Sequence, residues 1–263
     1  MTDLSKVPGV DPNVPNAARM YDYYLGGSHN FAADRAAAER VKAAIPQAVE
    51  VARANRFFLH RAVRFCLDEG VDQFLDLGSG IPTAGNVHEI ARERSAQARV
   101  AYVDNEPVTV ASAEALLADD PLATITKADV RDPEAVFSAP GVRDLLDFSR
   151  PIALLTVAVL HFVPDEDDPV GLAQKYRARL APGSFHVLTH GTADHDPDEV
   201  RELGGVYRNT ANPVTARTRA EVAAILEGTD LVEPGLVDAT EWRPEDTIGD
   251  QYRGMWAAVG RIR

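Results

Sequence analysis

The sequence contains the segment Phe74-Leu75-Asp76-Leu77-Gly78-Ser79-Gly80, which is typical of a strand followed by a glycine turn. Its apolar residues predict a short buried strand over residues 73–77, and the glycines predict a tight turn after it. Because glycine lacks a Cβ atom, such a turn lets the backbone approach a ligand closely. In a sheet of parallel strands this turn lies at the carboxyl edge, where nucleotide-type ligands bind. A ligand of that kind is the first expectation.

Strands and helices alternate after this turn, which indicates parallel strands joined by right-handed crossovers. We therefore predict an α/β, doubly wound, Rossmann-like sheet of seven mostly parallel strands with helices on both faces. The predicted strands span residues 73–77, 99–103, 123–128, 152–157, 185–189, 231–237 and 255–261. The predicted helices span residues 16–25, 32–44, 47–69, 86–94, 107–117, 170–180 and 219–227.

The chain is interpreted as a single domain over residues 1–263. Residues 1–60 form a helical extension before the first strand, and residues 70–263 form the α/β core. The alternating pattern weakens over residues 194–213, which predicts an insertion within that core.

The glycine turn does not match a dinucleotide site. Such a site carries a third glycine at fixed spacing, and here that position is Thr83. Asp76 would also place a carboxylate beside a pyrophosphate, and that repulsion is costly in a partly dry cleft. S-adenosylmethionine carries an ammonium and a sulfonium and no phosphate. Asp76 therefore favours S-adenosylmethionine over NAD or ATP.

Acidic residues also follow the second and third predicted strands. Asp104 can accept hydrogen bonds from both ribose hydroxyls, as the equivalent carboxylate does in dinucleotide folds. Asp129 can accept from an adenine amino group, with the amide of Val130 facing a ring nitrogen. Any one of these acids could instead cap a turn or helix. Their order along the chain favours an adenosine site.

Several short stretches carry a family resemblance: Ala18 to Gly27, Asn30 to Arg35, Ala54 to Leu59, Gln73 to Thr83, Tyr102 to Pro107, Ala128 to Pro133, Leu160 to Phe162 and Leu180 to Ser184. With them the chain resembles the class I S-adenosylmethionine-dependent methyltransferases. It is more similar to one bacterial family of S-adenosyl methyltransferases long catalogued as a domain of unknown function. The resemblance implies an antiparallel last strand at 255–261, but neither a substrate nor a mechanism.

The resemblance implies cofactor contacts at Asp76, Gly78, Gly80, Asp104 and Asp129. The full candidate set for S-adenosylmethionine is larger and includes residues of the helical extension. It consists of Tyr21, Gly26, Asp76, Gly78, Ser79, Gly80, Asp104, Asn105, Asp129, Val130 and Ala158.

Two regions are candidates for the acceptor side of the site. His161 follows the fourth strand and could act as a general base, or simply cap that strand. Residues 19–30 combine Tyr21 and Tyr24 with a Gly26-Gly27 hinge and could fold over the cofactor as a lid. The alternative is an ordinary helix packed on the sheet edge. Asn55 and Arg56 are weaker candidates for the same cleft wall.

A metal site is not expected. His186, His190 and His195 lie near Asp194 and Asp196, but their spacing matches no defined metal motif. Cys66 lies in an amphipathic helix and is expected in the core.

The composition limits which binding partners and which cell compartment are expected. The formal net charge of −13 comes from 27 basic and 40 acidic residues, and it disfavours nucleic acid. The N-terminus lacks the pattern of a signal peptide, and the apolar stretch 151–163 is too short to span a membrane. With a single cysteine, these features predict a cytoplasmic protein.

The leading hypothesis is methyl transfer from S-adenosylmethionine to a small molecule, to oxygen in preference to nitrogen. One alternative is a regulatory protein that binds the cofactor without catalysis. Another is an NAD-dependent oxidoreductase, which Asp76 and Thr83 disfavour.

Overall fold

The fold is known from a computed structural model, which describes residues 4–82, 85–194, 197–208, 210–244 and 253–263. Eight strands form one sheet, in the order β3-β2-β1-β4-β5-β8-β6, with β7 also paired to β8. The strands are β1 (Gln73–Leu77), β2 (Arg99–Asp104), β3 (Ala123–Lys127), β4 (Ala153–Val157), β5 (Phe185–Gly191), β6 (Thr229–Leu231), β7 (Val237–Asp238) and β8 (Met255–Ile262).

The first five strands are parallel, as the alternation of strands and helices predicts. The direction in which the chain winds across the sheet reverses between β1 and β4. In open α/β sheets the ligand binds outside the carboxyl ends of the strands at such a switch point. The predicted fold class is confirmed, and the glycine turn after β1 lies at this switch point.

Helices cover both faces of the sheet and precede it. They are α1 (Ala17–Tyr24), α2 (Ala32–Ala44), α3 (Ala48–Asp68), α4 (Val87–Arg92), α5 (Pro107–Leu117), α6 (Pro133–Ser138), α7 (Pro140–Arg143), α8 (Pro169–Arg177), α9 (Pro197–Tyr207) and α10 (Arg219–Ile225). Among the described residues, no helix is long and apolar enough to cross a membrane.

The β1 side chains explain why the sheet is covered on both faces. Phe74 packs in one apolar cluster with α3 residues, including Cys66, which is buried as expected. Leu75 and Leu77 pack in a second cluster with residues of α8 and α10. Because successive side chains of a strand point to opposite faces, β1 must be apolar on both.

The last part of the sheet differs from the prediction in one element. The single strand predicted at 231–237 is wrong, because β6 and β7 replace it and pair with different parts of β8. Pro234 lacks a backbone N–H and Gly235 has a φ of +89°, so the ladder is interrupted between them. The last strand is antiparallel to β5, as the resemblance implies.

A third apolar cluster joins the N-terminal helices to α9. It contains Met20 and Tyr24 of α1, Val41 of α2, Ala52 of α3 and Tyr207 of α9. The helix α9 lies in the segment predicted as an insertion, where Gly204 and Gly205 weaken the helical pattern.

Candidate active site

The glycine turn after β1 adopts a conformation that requires glycine. Gly78 and Gly80 have φ angles of +65° and +67°. A Cβ atom on Gly78 would lie 2.3 Å from Cγ2 of Val159, whereas one on Gly80 would meet no heavy atom within 4 Å. The turn therefore packs against the β4 side of the site at Gly78 and faces open space at Gly80.

All three amides of this turn are used within the protein. The N–H groups of Gly78 and Ser79 donate to the carbonyl oxygen of Val103, at 2.8 and 3.2 Å. The N–H of Gly80 donates to Oδ2 of Asp104 at 2.8 Å. Phosphate-binding turns instead point several free amides at the anion. The turn is therefore unsuited to a pyrophosphate, which agrees with the argument from Asp76.

Asp76 is a buried carboxyl group beside this turn. Burial raises its pKa to about 7, the nearby Arg56 guanidinium lowers it, and the Asp104 carboxylate raises it. A cationic ligand would stabilise the ionised form of such a group. The same carboxylate would repel an anionic ligand.

Asp104 ends β2 and is held by backbone donors. Its Oδ1 accepts the N–H of Glu106 at 2.9 Å, and its Oδ2 accepts the N–H of Gly80. Burial raises its pKa to about 6, although these hydrogen bonds oppose the shift. Each carboxylate oxygen can accept a further hydrogen bond. Asp104 can therefore still receive the two hydroxyls of a ribose.

The carboxylate of Asp129, which follows β3, is already engaged by a neighbouring side chain. It pairs with the Arg131 guanidinium at 2.6 Å, and this pair lowers the pKa of Asp129. The carbonyl oxygen of Val130 accepts the Tyr176 hydroxyl at 2.8 Å. A ligand at this end of the site would share the Asp129 carboxylate with Arg131.

One cavity of about 830 Å³ brings the predicted residues together. Gly26 is the exception, since it lies outside the lining and forms a turn after α1 with a φ of +81°. The predicted residues that line the cavity are Tyr21, Asp76, Gly78, Ser79, Gly80, Asp104, Asn105, Asp129, Val130, Ala158 and His161.

Ala158, just after β4, has a left-handed backbone with a φ of +56°. A hydrogen-bonded chain supports this strained residue. Its N–H donates to Oγ1 of Thr189 at 2.8 Å, and the Thr189 hydroxyl donates to Oδ1 of Asn55 at 2.6 Å. Nδ2 of Asn55 donates to the Tyr21 hydroxyl at 3.0 Å, which donates to Ala52. The chain links α1 and α3 to the carboxyl edge of the sheet.

A second buried network ties the N-terminal helices to Asp104. Arg19 on α1 lies 2.9 Å from both the Asp34 and the Glu106 carboxylates. Asn16, which caps α1, donates to Oε2 of Glu106 at 2.7 Å and to Oδ1 of Asn212 at 2.9 Å. The sequence prediction did not identify Arg19 or Glu106 as partners, because 87 residues separate them. In the sequence, the one indication of this network is that Glu106 closely follows Asp104.

His161 lies in a short 3₁₀ helix (Leu160–Phe162) after β4 and lines the cavity. Burial, together with His190 and Arg217, holds its pKa well below the usual histidine value. The N–H of Gly191 donates to Nδ1 of His161 at 3.3 Å. In a neutral ring this hydrogen bond leaves the proton on Nε2.

The other described histidines of β5 have structural partners. His186 bonds to the Thr156 hydroxyl at 2.8 Å, and burial lowers its pKa to about 3. His190 bonds to Arg217 at 2.9 Å and to the carbonyl oxygen of Gly191. Within the described ranges no three His, Cys, Asp or Glu residues form a group that could hold a metal ion. His195 and Asp196 lie outside the described residues.

The residues of the cavity fit S-adenosylmethionine. The buried acids Asp76 and Asp104 suit a cation and a ribose, and the space beside Gly80 admits a ligand against the backbone. The fold and the amide pattern of the turn therefore favour a positively charged nucleoside over a phosphorylated one as the ligand.

The sequence matches the family described as S-adenosyl methyltransferase over residues 4–263. The chain belongs to this family, and its cofactor is S-adenosylmethionine. No curated protein matches the sequence.

Two crystal structures are similar over nearly the whole chain. A candidate methyltransferase from Thermobifida fusca YX is 39% identical, with a TM-score of 0.92 over 97% of this chain and 98% of that one. A DUF574 family protein from Streptomyces avermitilis MA-4680 is 38% identical, with a TM-score of 0.91 over 96% and 99%. Human N-acetylserotonin methyltransferase in complex with SAM is similar in fold alone, at 15% identity and a TM-score of 0.50 over 92% of this chain and 62% of that one.

Proposed function

We propose that this methyltransferase transfers the methyl group of S-adenosylmethionine to a hydroxyl oxygen of a small molecule. The proposal is supported by the composition of the cavity wall. The buried acids at the sheet edge and the side chains of the three N-terminal helices line the same cavity. A cavity lined by helices as well as by the sheet edge suits a small acceptor, whereas a polymer needs an open groove. The formal net charge of −13 also disfavours nucleic acid.

The cofactor is proposed to lie along the carboxyl edge of β1, β2 and β3. Asp76 would face its positive charges, and Asp104 would accept the ribose hydroxyls. Asp129 and Val130 would border the adenine, with Asn105, Ser79 and the two glycines along its length. Arg56, whose charge lowers the pKa of Asp76, is placed to attract the cofactor's carboxylate. When bound, S-adenosylmethionine supplies an electrophilic methyl group.

The N-terminal helices are proposed to act as a lid over one α/β domain. Residues 1–60 would form most of this lid, and the insertion 194–213 would complete it. The side chain of Asn16 supports the inclusion of this insertion, because it donates hydrogen bonds to Asn212 as well as to Glu106. A closed lid would exclude water and hold the acceptor against the site. Tyr21 would border the cofactor, and Gly26 would act in the hinge instead of at the ligand.

His161 is proposed to meet the acceptor hydroxyl. Its low pKa supports a neutral ring at neutral pH. With Nδ1 held by the Gly191 N–H, the ring can donate from Nε2 and orient the acceptor oxygen. To act as a general base, His161 would have to take up the acceptor's proton on Nδ1. Nδ1 would first have to give up the hydrogen bond from the Gly191 N–H. Positioning alone already accelerates an in-line methyl transfer.

The experiment is a methyl-transfer assay with S-adenosylmethionine labelled in its methyl group. The acceptors are a panel of small alcohols and phenols, the matching amines, transfer RNA and duplex DNA. We expect label only in small molecules, with oxygen acceptors ahead of the matched amines. Label in amines alone, or in nucleic acid, would contradict the proposal. Binding of the cofactor without transfer to any acceptor would favour the regulatory alternative.

A further inference from the structure

Part of the cavity wall is apolar. We call it the acceptor chamber and define it by Val41, Ala48, Phe162, Leu203 and Val214, which line the cavity and belong to the third apolar cluster. These residues come from α2, α3, the 3₁₀ helix after β4, α9 and the segment that follows α9. Elements distant in sequence thus converge on one apolar surface.

The acceptor chamber adjoins the residue proposed to meet the acceptor. The rings of His161 and Phe162 have centroids 4.3 Å apart, and the Phe162 and Tyr207 rings have centroids 6.2 Å apart. An aromatic wall therefore runs from His161 to the inner face of α9. A molecule held against this wall would place one end at His161.

The charged side chains that line the cavity come from positions other than these five. Asp76, Asp104, Glu106 and Asp129 lie at the carboxyl edge of the sheet, Arg56 lies near Asp76, and Arg131, Glu166 and Arg253 are exposed. The acceptor chamber, as defined by its five described residues, carries no charged group. A charged molecule moved from water onto this wall would lose hydration without gaining a partner, which is costly.

A buried hydroxyl adds one polar feature. Tyr24 lines the cavity and is only 7% exposed, and its hydroxyl has no hydrogen-bond partner of acceptable geometry among the described residues. The Tyr24 and Tyr207 hydroxyls interact, and burial raises the pKa of Tyr207 to about 12. Both hydroxyls therefore stay neutral at neutral pH. They can hydrogen-bond to an oxygen on a ligand, but they supply no charge to balance a charged group.

From this partition we infer that the methyl acceptor is an uncharged, largely apolar molecule whose ring or aliphatic body lies in the acceptor chamber. The inference rests on the proposed function, because it assigns the apolar part of the same cavity. It excludes amino acids, sugar phosphates and other charged metabolites as acceptors. A phenol or a neutral aliphatic alcohol has the required chemistry.

The test uses three fluorescent probes with the same ring: neutral 2-naphthol, anionic 2-naphthoate and cationic 2-naphthylmethylammonium. Each is titrated at neutral pH into the full chain saturated with S-adenosylhomocysteine. We expect 2-naphthol to bind at least about tenfold more tightly than either charged probe. Equal or tighter binding of a charged probe, or no binding of 2-naphthol, would overturn the inference.

A matched pair of variants tests whether 2-naphthol binds in the acceptor chamber. Leu203→Asp adds a carboxylate to the chamber wall at a half-buried position and should weaken 2-naphthol binding about tenfold or more. Leu231→Asp makes the same change at a side chain that is 43% exposed on β6, and it should have no effect. Val214→Asp serves as a second chamber variant if Leu203→Asp does not fold. Unchanged 2-naphthol affinity in the folded chamber variants would contradict the placement.

Binding of S-adenosylhomocysteine separates the two proposals. It should be unchanged in the chamber variants, because Leu203 and Val214 pack with the third apolar cluster, whereas the three acids lie at the sheet edge. If the parent chain binds S-adenosylhomocysteine but prefers charged probes, the inference fails and the proposed function stands. If the parent chain does not bind S-adenosylhomocysteine, the proposed function fails and the inference fails with it.

Discussion

The backbone N–H of Gly80 donates a 2.8 Å hydrogen bond to the carboxylate of Asp104. This bond joins the glycine turn after β1 to the end of β2, two places that we propose contact the adenosine of the cofactor. It also occupies the last free amide of the turn, after Val103 has taken the amides of Gly78 and Ser79. The turn therefore helps to position the Asp104 carboxylate and does not offer free amides to an anionic ligand. We therefore expect the site to favour a positively charged ligand.

Replacement of Asp104 by asparagine should weaken cofactor binding. The substituted side chain would carry no negative charge and would present an NH₂ group toward hydroxyl or amide donors. We expect Asp104→Asn to lose about 1.5–3 kcal/mol in binding free energy for S-adenosylhomocysteine, the range for a hydrogen bond to a charged group. Calorimetric titration measures it, with Asp144→Asn as the control at an exposed acid paired with Arg143. Equal affinities for the parent and Asp104→Asn would mean that the ribose lies elsewhere.

Binding of S-adenosylmethionine should tighten as the pH rises. The pKa of Asp76 is about 7 without ligand, so at pH 6 most molecules must release a proton before the carboxylate can face a cation. For a group with that pKa, the affinity should rise about tenfold between pH 6 and pH 8. Asp76→Asn should bind weakly and show a flatter profile. A parent chain whose affinity does not change over this range would contradict the role of Asp76.

The same carboxyl group should lower the stability of the protein without ligand at high pH. Its pKa in the fold is raised from 3.8 to about 7, so the folded state holds the proton more tightly than the unfolded chain does. The resulting stabilisation is complete below about pH 4 and is lost as the pH rises through 7. Asp76→Asn should therefore match the parent near pH 4 and exceed its free energy of unfolding by roughly 1–3 kcal/mol at pH 8. Urea unfolding at the two pH values measures this, and a pH-independent difference would refute it.

Asn55 should hold the turn at Ala158 in place. Removing its amide leaves the Thr189 O–H without its acceptor and the Tyr21 oxygen without its donor in a buried region, while the hydrogen bonds of these hydroxyls with Ala158 and Ala52 remain. We expect Asn55→Ala to lower the free energy of unfolding by about 1–3 kcal/mol, the cost of unsatisfied buried groups. Phe57→Ala on the same helix is the control, because Phe57 is 54% exposed. If both variants have the same stability in urea, the hydrogen-bonded chain does not stabilise the fold.

The sequence predicted the features that depend on neighbouring residues. The β1 strand, its turn and the acids after β2 and β3 follow from local pattern, and the structure places them at one sheet edge. The strand predicted at 231–237 was wrong because apolar composition did not reveal the break at Pro234-Gly235. The link from Asn55 to Thr189 spans 134 residues, so no local pattern could show it. The pairing of Asp129 with Arg131 depends on side-chain geometry, which spacing alone does not give.

We expect the cavity to bind S-adenosylmethionine through its buried acids. Calorimetric titration of the purified protein with S-adenosylmethionine, S-adenosylhomocysteine and NAD measures this binding. We predict saturable binding of the first two compounds with one site per chain, and no binding of NAD. Tight binding of NAD with none of S-adenosylmethionine would contradict this expectation.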